Sequence, residues 1–328
     1  MTAKMKLTCF LFLYYVFISC LCNAQSISGD PHYYLVWEDN FDNLDSTKWM
    51  VANYAIHDIN EKPTKELQIY MNDMVNVKDG KLEISVDDIK STCHKHRDPE
   101  VSGVCVECYT NVSYKYRAGW IETKQDYNFK YGYIEISAQV PYSCGLWPAF
   151  WTFRGRNEVK GNSSEIDIYE MFSRFDTTII TTCLHRCYNN ISCGEKGLTH
   201  NVGIYSDKFH TYSVAWTPNK VVWYFDNEPI RVVNENHNIN TAVRLILNIA
   251  VTSSTPPDQT STFPSKMIVD YVRVYQLKDD IPDELVVPNM KIANSSKIYL
   301  RASNSVRLDS NFSISAGTGL FIDVDNSY

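Results

Sequence analysis

Glycine and proline are scarce in this chain, 13 and 12 among 328 residues, so no collagen-like or low-complexity tract dominates it. Positive charge is not in surplus. Lys and Arg number 31 against 38 Asp and Glu, a formal net charge of −7, which removes the basic footprint of a nucleic-acid binder. Windows with helical apolar periodicity are few, and beyond residue 25 no apolar run is long enough to cross a bilayer. Disorder is excluded by the 44% hydrophobic and 13% aromatic content. Cysteine, by contrast, is plentiful: ten residues, unevenly spread.

Residues 1–25 read as a cleaved export signal. Lys4 and Lys6 give a positive n-region, Leu7 to Leu21 an apolar stretch, and Cys22-Asn23-Ala24 a cleavage site before Gln25. The apolar stretch is about 15 residues, short of the ~20 that a spanning helix needs. The mature chain is therefore expected to be secreted, periplasmic or on the cell surface, an oxidising setting where close cysteines pair. Cys9, Cys20 and Cys22 leave with the signal. The other seven are Cys93, Cys105, Cys108, Cys144, Cys183, Cys187 and Cys193. Their clustering predicts disulfides that staple loops, with at least one thiol left over and a pairing that sequence does not fix. Cys93-His94-Lys95-His96 with Cys105-x-x-Cys108 also meets zinc-ligand spacing loosely.

The body of the chain reads as β. Runs rich in Val, Ile, Tyr, Phe and Thr recur between Asn, Asp, Gly and Pro: Lys81–Val86, Gly132–Val140, Glu165–Phe172, Thr177–Leu184, His210–Thr217, Lys220–Phe225, Leu245–Val251 and Met267–Gln276. With no βαβ rhythm, this predicts an all-β fold, a large sandwich of antiparallel sheets. In Gly132–Val140, apolar Ile134, Ile136, Ala138 and Val140 alternate with Tyr133, Glu135, Ser137 and Gln139. That pattern suits a strand whose polar face lines a cleft. A catalytic domain is expected over 26–278, a Pro-punctuated acidic linker over 279–288, and a small β appendage over 289–328.

Three carboxylates fall within six residues in Glu165-Ile166-Asp167-Ile168-Tyr169-Glu170. On a regular strand Glu170 would oppose the other two. A β-bulge at Ile168-Tyr169 would turn it back onto their face. Glu165 and Glu170 would then stand roughly 13 Å apart along the strand. Side chains leaning together would leave roughly 5 Å between carboxyls, the separation of a retaining glycosidase. One carboxylate would act as nucleophile and the other as acid, with Asp167 between them raising their proton affinity and orienting the nucleophile. A solvated acidic strand or a calcium site is the alternative, but Ile166 and Ile168 and the aromatic run upstream do not suit either.

That run is Leu146-Trp147-Pro148-Ala149-Phe150-Trp151. Trp147 and Trp151 are candidate platforms for sugar rings, while Trp37, Trp49 and Trp216 read as core. Asn53 and His185 are candidate polar contacts to substrate; His185 reads equally as a structural histidine beside Cys183 and Cys187.

These segments resemble the laminarinase-like enzymes of glycoside hydrolase family 16. The resemblance runs over roughly Leu35–Leu277 and includes Glu66-Leu-Gln-Ile-Tyr70, Phe129-Lys-Tyr-Gly-Tyr-Ile-Glu135, Gly145-Leu-Trp-Pro-Ala-Phe-Trp151, Ser164-Glu-Ile-Asp-Ile-Tyr-Glu170, Trp223-Tyr-Phe-Asp-Asn227 and Val269-Asp-Tyr-Val-Arg-Val-Tyr275. It implies a β-jelly-roll with a concave cleft and endo-acting, retaining hydrolysis of β-linked polysaccharide, with no cofactor for catalysis, by a monomer. It makes Glu165 the nucleophile, Glu170 the acid/base and Asp167 the assisting carboxylate. It also implies a structural calcium at Glu38, the Gly80 main chain and Asp270.

The chain departs from the family pattern at three places. Lys160-Gly-Asn-Ser-Ser164 replaces a Ser-Trp-Pro segment, Thr252-Ser-Ser-Thr-Pro-Pro-Asp258 replaces a Gly-Gly-x-Trp loop, and Trp120 replaces an arginine. The expected substrate is β-1,3-glucan. Galactose-based polysaccharides, host glycans, or a non-catalytic lectin on the same fold are the alternatives.

Overall fold

The computed structural model describes residues 30, 32–53, 66–92, 95–97, 105–107, 113–124, 126–155, 163–172, 179–188, 191–192, 195–234, 239–278, 284–287, 291–292, 297–302, 305–308, 313–314 and 319–324. The export signal read over 1–25 lies outside these residues, as do Cys93, Cys108 and Cys193.

Two large sheets face each other. The ten-stranded sheet runs Glu228–Val233, Val221–Phe225, His210–Trp216, Gly132–Gln139, Ser265–Leu277, Lys81–Asp87, Tyr116–Ala118, Gln68–Tyr70, with Tyr33–Asp39 and Val75–Lys78 paired off this path. The eight-stranded sheet runs Ile191–Ser192, Ile179–Tyr188, Ser163–Glu170, Leu146–Arg154, Val243–Val251, Trp120–Thr123, Trp49–Val51, with Glu195–Asn201 beside Ile179–Tyr188. Neighbours are antiparallel except Tyr116–Ala118, which runs parallel to Gln68–Tyr70. This is the expected β-jelly-roll sandwich. Among the described residues no helix is long and apolar enough to cross a membrane.

Local chemistry explains the hairpins. Asp79-Gly80 and Asp226-Asn227 both hold positive φ, as the two-residue turn that matches strand twist requires. Alternation then directs side chains. Ile134, Ile136, Val214, Val272 and Val274 from one sheet meet Phe150, Ile166, Leu245, Leu247 and Ile249 from the other. Trp49, Trp216 and Trp223 are fully buried, each removing on the order of 200 Å² from water.

The polar face of Gly132–Gln139 does not line a cleft. Its strand belongs to the ten-stranded sheet, and the face opposite the core forms a separate tyrosine cluster with Tyr33, Tyr133 and Tyr275. There the fully buried Glu135 accepts from Tyr271 Oη at 3.0 Å, and Tyr133 Oη meets Ser213 Oγ at 2.7 Å. Alternation identified the face, but its polar groups satisfy one another.

The linker read over 279–288 holds a strand, Glu284–Val287, which pairs in parallel with Ser305–Leu308. Lys291–Ile292 pairs likewise with Ser313–Ile314, and Lys297–Ala302 with Gly319–Val324. The appendage is thus a two-rung parallel coil that begins inside the expected linker. The buried Arg301 ties it to Asp30, with Nη2 2.9 Å from Oδ2.

Candidate active site

The acid strand Ser163–Glu170 lies between Leu146–Arg154 and Ile179–Tyr188. On one side the pairing steps from Trp151↔Asp167 to Phe150↔Tyr169; on the other it steps from Asp167↔Cys183 to Glu170↔Thr181. Each partner advances one residue fewer than the acid strand, so one residue is extra at Ile168–Tyr169. That β-bulge resets the alternation. Ile166, Ile168 and Tyr169 enter the core, while Glu165, Asp167 and Glu170 all line one cleft on the outer face of the eight-stranded sheet.

The tryptophan strand supplies the walls. Trp147, Ala149 and Trp151 line the cleft and Leu146 and Phe150 the core, the two-residue period of a strand. Trp147 Nε1 donates to Glu170 Oε1 at 3.0 Å, and its ring packs on Phe172 at 4.8 Å. Trp151 Nε1 donates to Asn248 Oδ1 at 2.8 Å. Asn248 Nδ2 donates to Tyr70 Oη at 3.1 Å, and Tyr70 Oη donates to Glu66 Oε2 at 3.1 Å. Gln68 Nε2 also reaches Glu66 Oε2, at 2.6 Å. Trp120 closes this side, 5.2 Å from Tyr70 and 5.5 Å edge-on to Trp151. Small Ala149 and Ala250 leave the cleft about 450 Å³ of open space.

Burial sets the electrostatics. It pushes the Asp167 carboxyl up to about 7, against hydrogen bonds with Cys183 and Glu165 and the charge of Arg231. Burial and the charges of Asp167 and Glu170 push the Cys183 thiol up to about 12. Beneath the floor, buried Arg231 donates from Nη1 to the Thr182 carbonyl at 3.0 Å and stacks 4.7 Å over Trp223. His200 shares the Thr182 hydroxyl at 2.9 Å, and its imidazole titrates below its usual range through burial and Arg231.

A family model for glycosyl hydrolases family 16 matches residues 65–273. The chain belongs to that family. A glucan endo-1,3-beta-glucosidase A1 of Niallia circulans is 30% identical over 74% of this chain and 38% of its own length. A beta-glucanase of Rhodothermus marinus is 26% identical over 81% of this chain and 93% of its own. The laminarinase catalytic domain of Thermotoga maritima MSB8 superposes with a TM-score of 0.60 at 28% identity, covering 75% of this chain and 99% of that one. The chain spans 35–38% of the length of the first curated relatives it matches.

Within this family-16 frame the sites named from sequence fall out unevenly. The three acids and both tryptophans share one cleft. His185 is the cross-strand partner of Glu165 in backbone register; its side chain lies outside those described. Asn53 is exposed just past the edge strand Trp49–Val51 and is not among the described residues lining the cleft. The expected calcium set is engaged elsewhere. Glu38 Oε2 meets Arg273 Nε at 3.3 Å, and Asp270 Oδ1 meets Lys81 Nζ at 2.5 Å. Two carboxylates each neutralised by a cation do not fit the oxygen cage that calcium needs.

Loop stapling is corrected for two cysteines, because Cys144 and Cys183 are thiols rather than disulfides. The Cys144 thiol points at the Pro256 carbonyl, 3.8 Å away, in a turn where Gly145 has φ +84 and a Cβ would collide with Pro257. Cys183 sits in the cleft floor. Glu66, Trp120, Asn248 and Cys183 are the site residues that sequence reading missed. Trp120 carried a signal as a departure from the family pattern, and Glu66 as the first residue of a segment that matches it.

Proposed function

We propose that this protein is an exported, endo-acting glycoside hydrolase that cleaves neutral β-linked glucan, β-1,3-glucan first, with retention of configuration. The observation that carries the reading is the bulge that gathers Glu165, Asp167 and Glu170 on one floor between tryptophan walls. Glu165 attacks the anomeric carbon while Glu170, held by the Trp147 indole, protonates the leaving oxygen. Glu170 then takes a proton from a water that attacks the anomeric carbon, which breaks the bond to Glu165 and releases the product. Asp167 hydrogen-bonds the nucleophile. Trp147 and Trp151 offer faces and edges to the apolar sides of pyranose rings, with buried Trp120 packed against Trp151.

Charge favours glucan over sulfated galactans. The described cleft residues include four carboxylates, those of Glu66, Glu165, Asp167 and Glu170, and no cation. A sulfated chain would meet like charge throughout. The activities named for the Niallia and Rhodothermus relatives support the same substrate, and the signal read over 1–25 supports export.

The test is product analysis on laminarin, lichenan, agarose, carrageenan and mucin O-glycans with the native protein and Glu165→Gln. Oligosaccharides from laminarin, lost in the variant by a factor of at least about 10³, are the expected result. Cleavage of only a galactose-based polymer would move the substrate, and retained turnover by Glu165→Gln would remove the mechanism.

A further inference from the structure

Cys183 stands opposite Asp167 in the register between Ile179–Tyr188 and the acid strand. Directly opposed strand residues project to the same face, so the thiol lies in the floor beneath the acids, 4% exposed. Its sulfur, one Asp167 oxygen and one Glu170 oxygen lie within 4.8 Å of one another. The thiol hydrogen-bonds the Asp167 carboxyl, which is in turn hydrogen-bonded to Glu165.

We infer that Cys183 is a positioning residue of the hydrolytic site: its S–H holds Asp167 so that Asp167 directs its own proton to the nucleophile Glu165. This rests on the roles proposed above. The direction of the chain follows from what each group offers. A buried thiol beside two carboxylates keeps its proton throughout the neutral range, so here it donates and does not act as a nucleophile. Below about 7 Asp167 carries a proton, and an ionised Glu165 can only accept. Two donors in series, S–H to Asp167 and O–H to Glu165, leave the nucleophile anionic and fixed.

The groups that act on Asp167 are Glu165 and Glu170 from its own strand, Cys183 from the next strand, and Arg231 from beneath. Removing the thiol deletes one of the influences that favour the ionised carboxyl. Asp167 would then hold its proton to higher pH while being less firmly placed.

The experiment compares Cys183→Ala, Cys183→Val and Cys183→Ser. For Ala and Val, kcat on laminarin should fall about 3- to 10-fold, the size of one hydrogen bond, with KM little changed. The alkaline limb of the kcat profile should move up by about half a pH unit or more. Ser, which keeps a donor, should restore both. In parallel, the Asp167 carboxyl is titrated by carbon-13 NMR in native protein and Cys183→Ala, its resonance assigned with Asp167→Asn. An upward shift in Cys183→Ala is expected whether or not the sugar has been identified correctly. Unchanged titration together with a native pH profile in Ala and Val would overturn the inference. An inert native enzyme with the NMR shift intact would overturn the substrate reading alone. If Ala and Val fail to fold, the infrared S–H stretch that Cys183→Ser removes from the native spectrum decides: a band displaced to lower frequency supports the inference, and a band at the frequency of a free thiol counts against it.

Discussion

Trp223 reaches through the sandwich and donates its indole N–H to the main-chain oxygen of Asp167 at 2.9 Å. The donor comes from the ten-stranded sheet and the acceptor from the residue at which the acid strand slips register. The core therefore holds the bulge from behind, and the bulge is what turns Glu170 into the cleft. Trp223→Phe keeps an aromatic side chain but removes the donor, leaving a buried carbonyl unpaired by it, at a cost of about 1–3 kcal/mol before the smaller ring's lost packing is added. Misplacement of the acids by about 1 Å costs up to 10²-fold, so kcat should fall tenfold or more with KM nearly unchanged. Thermal unfolding and steady-state kinetics on laminarin check both. A variant with lowered Tm and native kcat would show that the bulge holds itself.

The relay behind Trp151 has one direction. An indole N–H only donates, so Asn248 accepts through Oδ1 and donates through Nδ2 to Tyr70, whose hydroxyl donates to the acceptor-only carboxylate of Glu66. The charge at Glu66 thus fixes the tilt of a cleft tryptophan. Tyr70→Phe cuts the relay. KM should rise about tenfold, equivalent to about 1.4 kcal/mol, with kcat altered much less. Initial rates across a laminarin concentration series separate the two, and an unchanged KM would mean that Trp151 is held by packing alone.

How far the sequence carried this picture follows from where each signal lies. The acid triple was legible because its members and the bulge fall within one strand, and Trp147 and Trp151 because they precede it on the neighbouring one. Strand positions followed from β-rich runs bounded by turn residues; Gly132–Val140, for example, ends one residue beyond the observed strand. The link from Trp151 through Asn248 to Glu66 was illegible, although Glu66 lies in a family-like segment, because Trp151 meets its partner 97 residues along the chain, across a strand order that alternation does not encode. Cys183 was misread because cysteine clustering in an exported chain points to disulfides, whereas cross-strand register placed this one against a carboxylate. Glu135 shows the converse error: a polar face became a satisfied tyrosine cluster.

Asp167 gives stability a pH dependence whose sign is fixed. Its carboxyl is raised from an ordinary 3.8 to about 7 in the folded protein, mainly by burial. Between those values the native state binds more protons than the unfolded chain, so stability falls as pH rises through the window and the loss is complete above about 7. Asp167→Asn cannot ionise and escapes the loss. Relative to native, the variant should gain stability from pH 4 to 8, by an amount on the order of a few kcal/mol. Denaturant unfolding at pH 4, 6 and 8 measures it; parallel curves for the two proteins would contradict the raised carboxyl. Activity should fall at every pH, because an amide donates to Glu165 but cannot share its proton.

The pair Asp30–Arg301 joins the appendage to the chain just ahead of the strand Tyr33–Asp39. Arg301 Nε and Nη2 both donate to Asp30 Oδ2, at 3.1 and 2.9 Å, and the guanidinium lies 4.9 Å over the Tyr33 ring. The Asp30 carboxyl also takes the His32 main-chain N–H at 2.9 Å. Both charges are buried, so removing one takes from the other its opposite charge at 2.9 Å, although Asp30 keeps its contact with His32. Arg301→Met should cost about 3–5 kcal/mol, whereas combining it with Asp30→Asn should recover much of that, because the lone buried charge is gone. Both variants should retain native kcat on soluble laminarin, since neither residue lines the cleft among the described residues. Thermal unfolding of the single and double variants decides the matter. If the Arg301→Met transition coincides with native, the coil contributes nothing to the cooperative unit. If it splits in two, the coil unfolds separately.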